Sequence, residues 1–165
     1  MKTLFVIDAK DYQADWPKIE KVTVRALIEQ DGRFAMQKNR YGEYKIPGGG
    51  PDPGESLTEA LIREVRDETG LLLDPASIVP VGKTEEMRED AFKKGWIFVR
   101  HTYFYTCRIL EDTGETNMTK SELALGFEPV WADMDTIIEE NRRCMVEKWN
   151  IRDTEFFVWL KRERG

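Results

Sequence analysis

Three carboxylates, Glu64, Asp67 and Glu68, are spaced to act together within the stretch Gly48–Leu71, GGGPDPGESLTEALIREVRDETGL. On a helix Glu64 stands one turn from both of the others, so neighbouring carboxylates lie ~5–6 Å apart. Each such pair repels by about 3 kcal/mol at an effective dielectric near 20, and by under 1 kcal/mol in water. A domain has a net stability of only about 5–15 kcal/mol. A solvated acidic face tolerates that repulsion, whereas acids turned toward the protein need a cation. The chain has one histidine, His101, so a multi-histidine metal site is excluded. Oxygen ligands point to magnesium or manganese instead of zinc.

The elements that must position these acids are legible around them. Ser56 and Glu59 have the spacing of a capping box, which starts a helix at Leu57. Gly70 suits the left-handed residue that closes it. At about 100° per residue, Leu57, Leu61 and Val65 form an apolar stripe. Glu68 falls inside that stripe, and Glu64 and Asp67 fall on its flank beside Ala60. The acids are therefore not opposite the apolar face, where solvation alone would put them. Before the helix, Gly48, Gly49 and Gly50 allow close approach of backbone to a ligand, and Pro47, Pro51 and Pro53 stiffen the loop. No Lys-Ser or Lys-Thr follows the glycines, so this is not a P-loop, nor does it match the dinucleotide fingerprint.

Gly49, five residues, Glu55, seven residues, Arg63-Glu64-Val65, one residue, Asp67-Glu68, one residue, Gly70-Leu71 resembles the signature of the Nudix (MutT-like) hydrolases, Gx5Ex7REUxEExGU with U a bulky apolar residue. The one departure is Asp67, where the family pattern has Glu. The resemblance implies an α/β/α sandwich with a mixed β-sheet, an α/β (α+β) fold. It implies a magnesium- or manganese-dependent attack of water on a phosphorus of a nucleoside diphosphate linked to another moiety. Glu64 and Glu68 are then the leading metal ligands and catalytic acids, with Asp67 and the carbonyl of Gly49 completing the set. Glu55 and Arg63 are expected to support the site structurally. The base that takes the water's proton is a helix Glu or a later acid, for which Glu122 and Glu128 are the candidates. Arg25, Arg40, Tyr44 and Lys45 lie on or before the strand that leads into the loop, and are candidates to meet the substrate; core packing or a plain surface role competes for each.

The remaining chain reads as one domain over residues 1–165. Residues 3–7 suit a first strand. Val22, Val24, Ala26 and Ile28 alternate with Thr23, Arg25 and Glu29, and Asp31-Gly32 suits a tight turn, so Lys21–Glu29 and Arg33–Lys38 are expected to pair as a hairpin. Trp96–Ile109 carries aromatics on both faces, as a central covered strand does, and His101 within it reads as an ordinary strand histidine. Residues 111–121 read as loop. Asp133 suits a helix cap, and Asp153 or Thr154 suits the cap of a last helix, whose apolar side would pack on the domain or on a second copy in a homodimer.

The net charge of −6 argues against a nucleic-acid duplex as partner, since that requires clustered Lys and Arg. No run approaches the ~20 apolar residues of a membrane span, and Cys107 and Cys144 read as reduced thiols, so the cytoplasm is the expected compartment. Two rival readings are a hydrolase of a non-nucleotide diphosphate and a Nudix-like domain that senses a nucleotide without cleaving it.

Overall fold

A computed structural model describes residues 1–165. Its strands are β1 (Thr3–Asp8), β2 (Lys18–Leu27), β3 (Glu29–Gln30), β4 (Arg33–Lys38), β5 (Tyr44–Lys45), β6 (Gly48–Gly49), β7 (Leu71–Leu73), β8 (Val79–Glu89), β9 (Ile97–Thr106), β10 (Ile109–Asp112) and β11 (Glu128–Ala132). Its helices are α1 (Leu57–Thr69), α2 (Lys120–Ala124), α3 (Met134–Cys144) and α4 (Trp149–Arg164). The main sheet runs β1-β8-β9-β2-β6, a second runs β11-β4-β3 with β5 also on β4, and β10 pairs with β7. The main sheet is mixed. β1 is parallel to β8 and β2 to β9, while β8 and β9 are antiparallel.

Two cores lie on opposite faces of these sheets, which makes an α/β/α sandwich. Val24, Ala26, Ile28, Ala35 and Tyr105 pack with Ala60, Leu61 and Val65 of α1. Leu27, Phe34, Met36 and Phe104 pack with Ile137 and Ile138 of α3 and with Phe156, Phe157 and Leu160 of α4. Strand residues alternate between faces, so β2, β4 and β9 each feed both cores. The central position of β9 explains why its aromatics occupy both faces.

Four sequence expectations need correction. The hairpin is shorter than its alternation suggests. Asp31 and Gly32 do turn the chain with φ of 51° and 76°, but only Ile28–Gln30 meets Arg33–Ala35. The longer run of β2 pairs with β9 and β6 in the other sheet. Alternation reports which face is buried and leaves the partner strand open. Second, β10 and α2 occupy a region that reads as loop. Glu111 and Asp112 pair with Leu72 and Leu71, and α2 is a single short turn held by a capping box of Thr119 and Glu122. Third, Asp153 and Thr154 do not cap α4. They lie inside it, Asp153 fully buried and Thr154 nearly so. The N-cap position is Lys148, with no side-chain cap, and Glu43 instead ties down the segment just before the helix. Its carboxylate accepts from Val146 N and Glu147 N at 3.0 and 3.1 Å and from Asn150 Nδ2 at 2.6 Å. Fourth, Ser56 Oγ accepts from Glu59 N at 3.1 Å, yet Glu59 makes no return bond. The carboxylate next to Ser56, on Glu55, is turned to the loop instead.

Candidate active site

Helix α1 carries the acids and the glycine loop lies across them. Arg63 ties the two together. Its guanidinium meets both Glu55 oxygens at 2.8 Å, Gly50 O at 3.1 Å and Glu64 Oε1 at 2.7 Å. Glu55 also accepts from Asp52 N at 2.9 Å. Arg63 and that amide pull the Glu55 carboxyl down to about 2, and the two carboxylates raise the Arg63 guanidinium further above its usual range. Loop and helix are thereby one unit, with Glu55 and Arg63 as its fastening.

The acids occupy distinct positions on this unit. Glu64 lies against Gly49, so closely that a Cβ there would fall 2.6 Å from the Glu64 carboxyl carbon. Glu68 is 2% exposed and accepts no hydrogen bond, with Oε2 fully enclosed. Burial drives its carboxyl well above the ordinary range. Lys45 and Arg25 act against that rise, and Glu122 and Glu64 add to it. Asp67 sits on the far flank. It is half-buried, its carboxylate has no hydrogen-bond or ion-pair partner, its carbonyl accepts from Asn117 N at 2.7 Å, and it lines a cleft of about 600 Å³ with Glu59, Arg66 and the Thr113–Asn117 segment. Glu122 belongs with Glu68 and Glu64 by its electrostatic influence. Glu128 is exposed at the start of β11, opposite Lys38.

Burying an ionised carboxylate without a partner costs several kcal/mol, and a divalent cation on Glu68 and Glu64 beside the Gly49 carbonyl offsets that cost. The orphaned Glu68 oxygen and the Glu64 carboxylate packed against Gly49 thus fit a hard, oxygen-liganded ion. As they stand, the acids form no ready cage of three. Glu64 is held by Arg63 and would exchange that contact for the ion.

The remaining sequence candidates separate. Arg25 is buried, and its Nη1 donates to Ile46 O and Gly48 O, both at 3.0 Å. Its observed task is therefore to hold the glycine loop. Tyr44 is buried in the α4-side core with the Lys38 ammonium over its ring, which leaves no face for a substrate. Arg40 is exposed, lies over Tyr41 and donates to Ala124 O, tying its loop to the end of α2. Lys45 makes no ion pair with the acids, although its charge acts on Glu68. Its ammonium lies over Phe127 and Trp149, and burial beside Arg25 lowers it to about 8 although Glu68 opposes the change. Asp153, which by sequence suits only a helix cap, accepts from Ile46 N at 2.9 Å and from Arg152 Nε at 2.7 Å. Arg25 and Asp153 thus grip the same loop strand through its carbonyls and its amide. His101 lies away from the acids, between Glu20 and Glu85. Both cysteines are free thiols, and burial pushes Cys107 up to about 12.

The adjacent glycines should respond differently to alanine. At Gly48, with φ of 150°, a Cβ would fall 1.8 Å from Val24 O. Relief requires breaking the β2–β6 pairing, so Gly48→Ala is expected to lower the melting temperature. At Gly49 the obstacle is the flexible end of Glu64. Gly49→Ala is expected to fold with little loss of stability but to displace Glu64 and lower turnover. Melting curves paired with activity assays check this contrast, and equal melting losses for the two would sink it.

The NUDIX domain model matches residues 19–160. Among curated proteins, nucleoside triphosphatase NudI of Escherichia coli K12 is 33% identical over 82 residues, covering 46% of this chain and 58% of that protein. NudI of Salmonella agona is 35% identical over the same length and coverage. The chain therefore spans little more than half the length of the curated relatives it matches. Among solved structures, a NUDIX hydrolase from Nitrosomonas europaea superposes with a TM-score of 0.62 at 22% identity, over 83% of this chain and 87% of that one. A MutT protein from Methanosarcina mazei gives 0.58 at 22% identity, over 93% and 99%.

Proposed function

The chain belongs to the NUDIX family, and from that premise we propose that it hydrolyses a diphosphate bond in a nucleoside diphosphate linked to another moiety, using magnesium or manganese. The observation that carries this reading is Glu68, a buried carboxylate without a hydrogen-bond donor, one helical turn from Glu64, whose carboxylate lies against Gly49. NudI of Escherichia coli, described as a nucleoside triphosphatase, supports nucleotides as the substrate class.

In this reading Glu64, Glu68 and the Gly49 carbonyl would hold the ion, with Asp67 reaching in from the flank of α1. A bound divalent ion neutralises diphosphate charge, aligns the reacting oxygens and lowers the pKa of a water molecule. The protein's own part is to hold these oxygens still and to accept a proton. Arg63, Arg25 and Asp153 fix the loop that presents the Gly49 carbonyl. Glu122, half-buried at the first turn of α2, would be the later acid that acts as base on the attacking water. Lys45, whose charge acts on Glu68, would offset negative charge that gathers as the bond breaks.

A phosphate-release assay tests the proposal across nucleoside triphosphates, nucleotide sugars, dinucleoside polyphosphates and non-nucleotide diphosphates, each with magnesium, with manganese and with EDTA. Turnover of a nucleotide substrate that EDTA abolishes is the expected result. Turnover confined to non-nucleotide diphosphates moves the substrate class, and metal-dependent binding without turnover of any compound overturns the catalytic reading.

A further inference from the structure

The face of the main sheet beneath α4 gathers more positive charge than it balances. Cross-strand register places Thr84, Thr102 and Thr23 in one row, Glu86 beside Arg100 in the next, and Arg88 beside Phe98 beyond it. Phe104, on the same face of β9, stacks on Phe156 of α4 with ring centroids 4.0 Å apart. The C-terminal half of α4 thus seals this face with aromatic side chains. Its first turns instead bury Arg152 and Asp153, both fully enclosed.

Four guanidinium groups, from Arg25, Arg88, Arg100 and Arg152, gather around the carboxylates of Glu86 and Asp153, and Glu68 acts on Arg25 from the α1 side. The enclosed donors without a partner outnumber the enclosed acceptors, of which Glu86 Oε2 is one. Arg152 spends Nε on Asp153 and leaves both Nη atoms buried without an acceptor. The Nε atoms of Arg25, Arg88 and Arg100 are likewise enclosed and unpartnered. Arg88 and Arg100 both lie against the Phe98 ring, with guanidinium carbons 4.3 and 5.0 Å from its centroid, which holds them in place. Burial lowers Arg25 to about 10 and also lowers Arg100, as expected of cations short of counter-charge. A chain with net charge −6 has acids to spare, yet places none on these nitrogens.

We propose that this face, between β2, β9, β8 and the first turns of α4, is a second anion site that takes a phosphomonoester dianion at a distance from the diphosphate bond cleaved at α1. The planar guanidinium fork matches phosphate geometry, and phosphate oxygens would supply acceptors to the enclosed, unpartnered Arg152 Nη atoms. Arg88 and Arg100 are partly exposed and so accessible from solvent, while Arg152 is fully enclosed behind them. Arg25 and Asp153 connect the site to the catalytic loop, because both also bond to the Ile46–Gly48 segment. The dianion is either free inorganic phosphate or a phosphate carried by the substrate. The second case rests on the hydrolase reading, and the first does not.

The test uses the full chain in EDTA, so that it is independent of catalysis. Inorganic phosphate at tenfold its dissociation constant should raise the melting temperature by about 3–6 °C over chloride of equal ionic strength. Arg100→Gln, at a partly exposed position, should fold and lose this shift, as should Arg152→Met if it folds. No shift in the parent protein, or an equal shift in Arg100→Gln, overturns the site. With metal present, nucleoside diphosphate derivatives with and without a distal phosphomonoester then identify the source. A kcat/KM advantage of about tenfold for the phosphorylated compound, lost in Arg100→Gln, assigns the site to substrate. No advantage, with the EDTA shift intact, assigns it to free phosphate.

Discussion

Glu68→Gln is expected to lower metal-dependent turnover about a thousandfold, or about 4 kcal/mol of transition-state stabilisation, while leaving the metal-free protein at least as stable as the parent. Both effects come from the same burial. Glu68 is 2% exposed and receives no hydrogen bond, so without a cation its ionised form carries an uncompensated desolvation cost. Glutamine has nearly the same shape and no charge. It removes that cost and the ion's strongest ligand together.

The pH dependence has a definite sign. The folded-state carboxyl titrates well above its ordinary 4.5, so the folded protein binds the proton more tightly than the unfolded chain does. Stability from this group is fully present below 4.5 and is lost as pH rises through the folded-state value. In EDTA the parent should therefore lose stability with rising pH over that window, and Glu68→Gln should not show this component. Magnesium should stabilise the parent at neutral pH and have little effect on the variant. Denaturant titrations at several pH values, with and without metal, measure each of these. A variant that is less stable than the parent in EDTA at neutral pH would contradict the argument.

The helix and its acids are legible in the sequence because local rules govern them. Ser56, Gly70 and the stripe of Leu57, Leu61 and Val65 bound a helix whose ends the structure places at Leu57 and Thr69, and the angular position of Glu68 within the stripe anticipates its burial. Long-range placement is not legible. The alternation in β2 shows two faces without showing that both are covered, so Arg25 reads as an outward side chain when it is enclosed beneath α4. Asp153 follows the pattern of a helix cap, but α4 begins earlier, at Trp149, just after a segment that Glu43 holds from a distant loop. Nothing local to either residue reports that pairing. The one available signal is composition: α4 begins Trp149-Asn150-Ile151-Arg152-Asp153-Thr154, and neighbouring opposite charges beside aromatic residues are compatible with a buried pair.

Asp153→Ala should destabilise the fold more than Gly48→Ala or Glu68→Gln, by about 3–5 kcal/mol. Asp153 is fully buried and serves two donors, Ile46 N at 2.9 Å and Arg152 Nε at 2.7 Å. Alanine leaves a backbone amide of the loop strand unpaired and removes the only acceptor of a fully enclosed guanidinium. At about 2–4 °C per kcal/mol for a chain of this size, the melting temperature should fall by roughly 10 °C or more. Asp153→Asn separates the two roles: its single oxygen can keep the bond from Ile46 N, while the charge and the acceptor for Arg152 Nε are lost, so it should fall between alanine and the parent. Much of the cost lies in stranding Arg152, so Arg152→Met combined with Asp153→Ala should cost less than the sum of the two single changes, as happens when both members of a buried pair are replaced. The loss at Ile46 remains in the double variant. Its turnover should therefore stay below that of Arg152→Met alone even where its melting temperature recovers, because Ile46 leads directly to Gly48 and Gly49. A double variant whose stability loss equals the sum would mean that Arg152 and Asp153 are not energetically coupled, and that the grip on the glycine loop does not depend on their pairing.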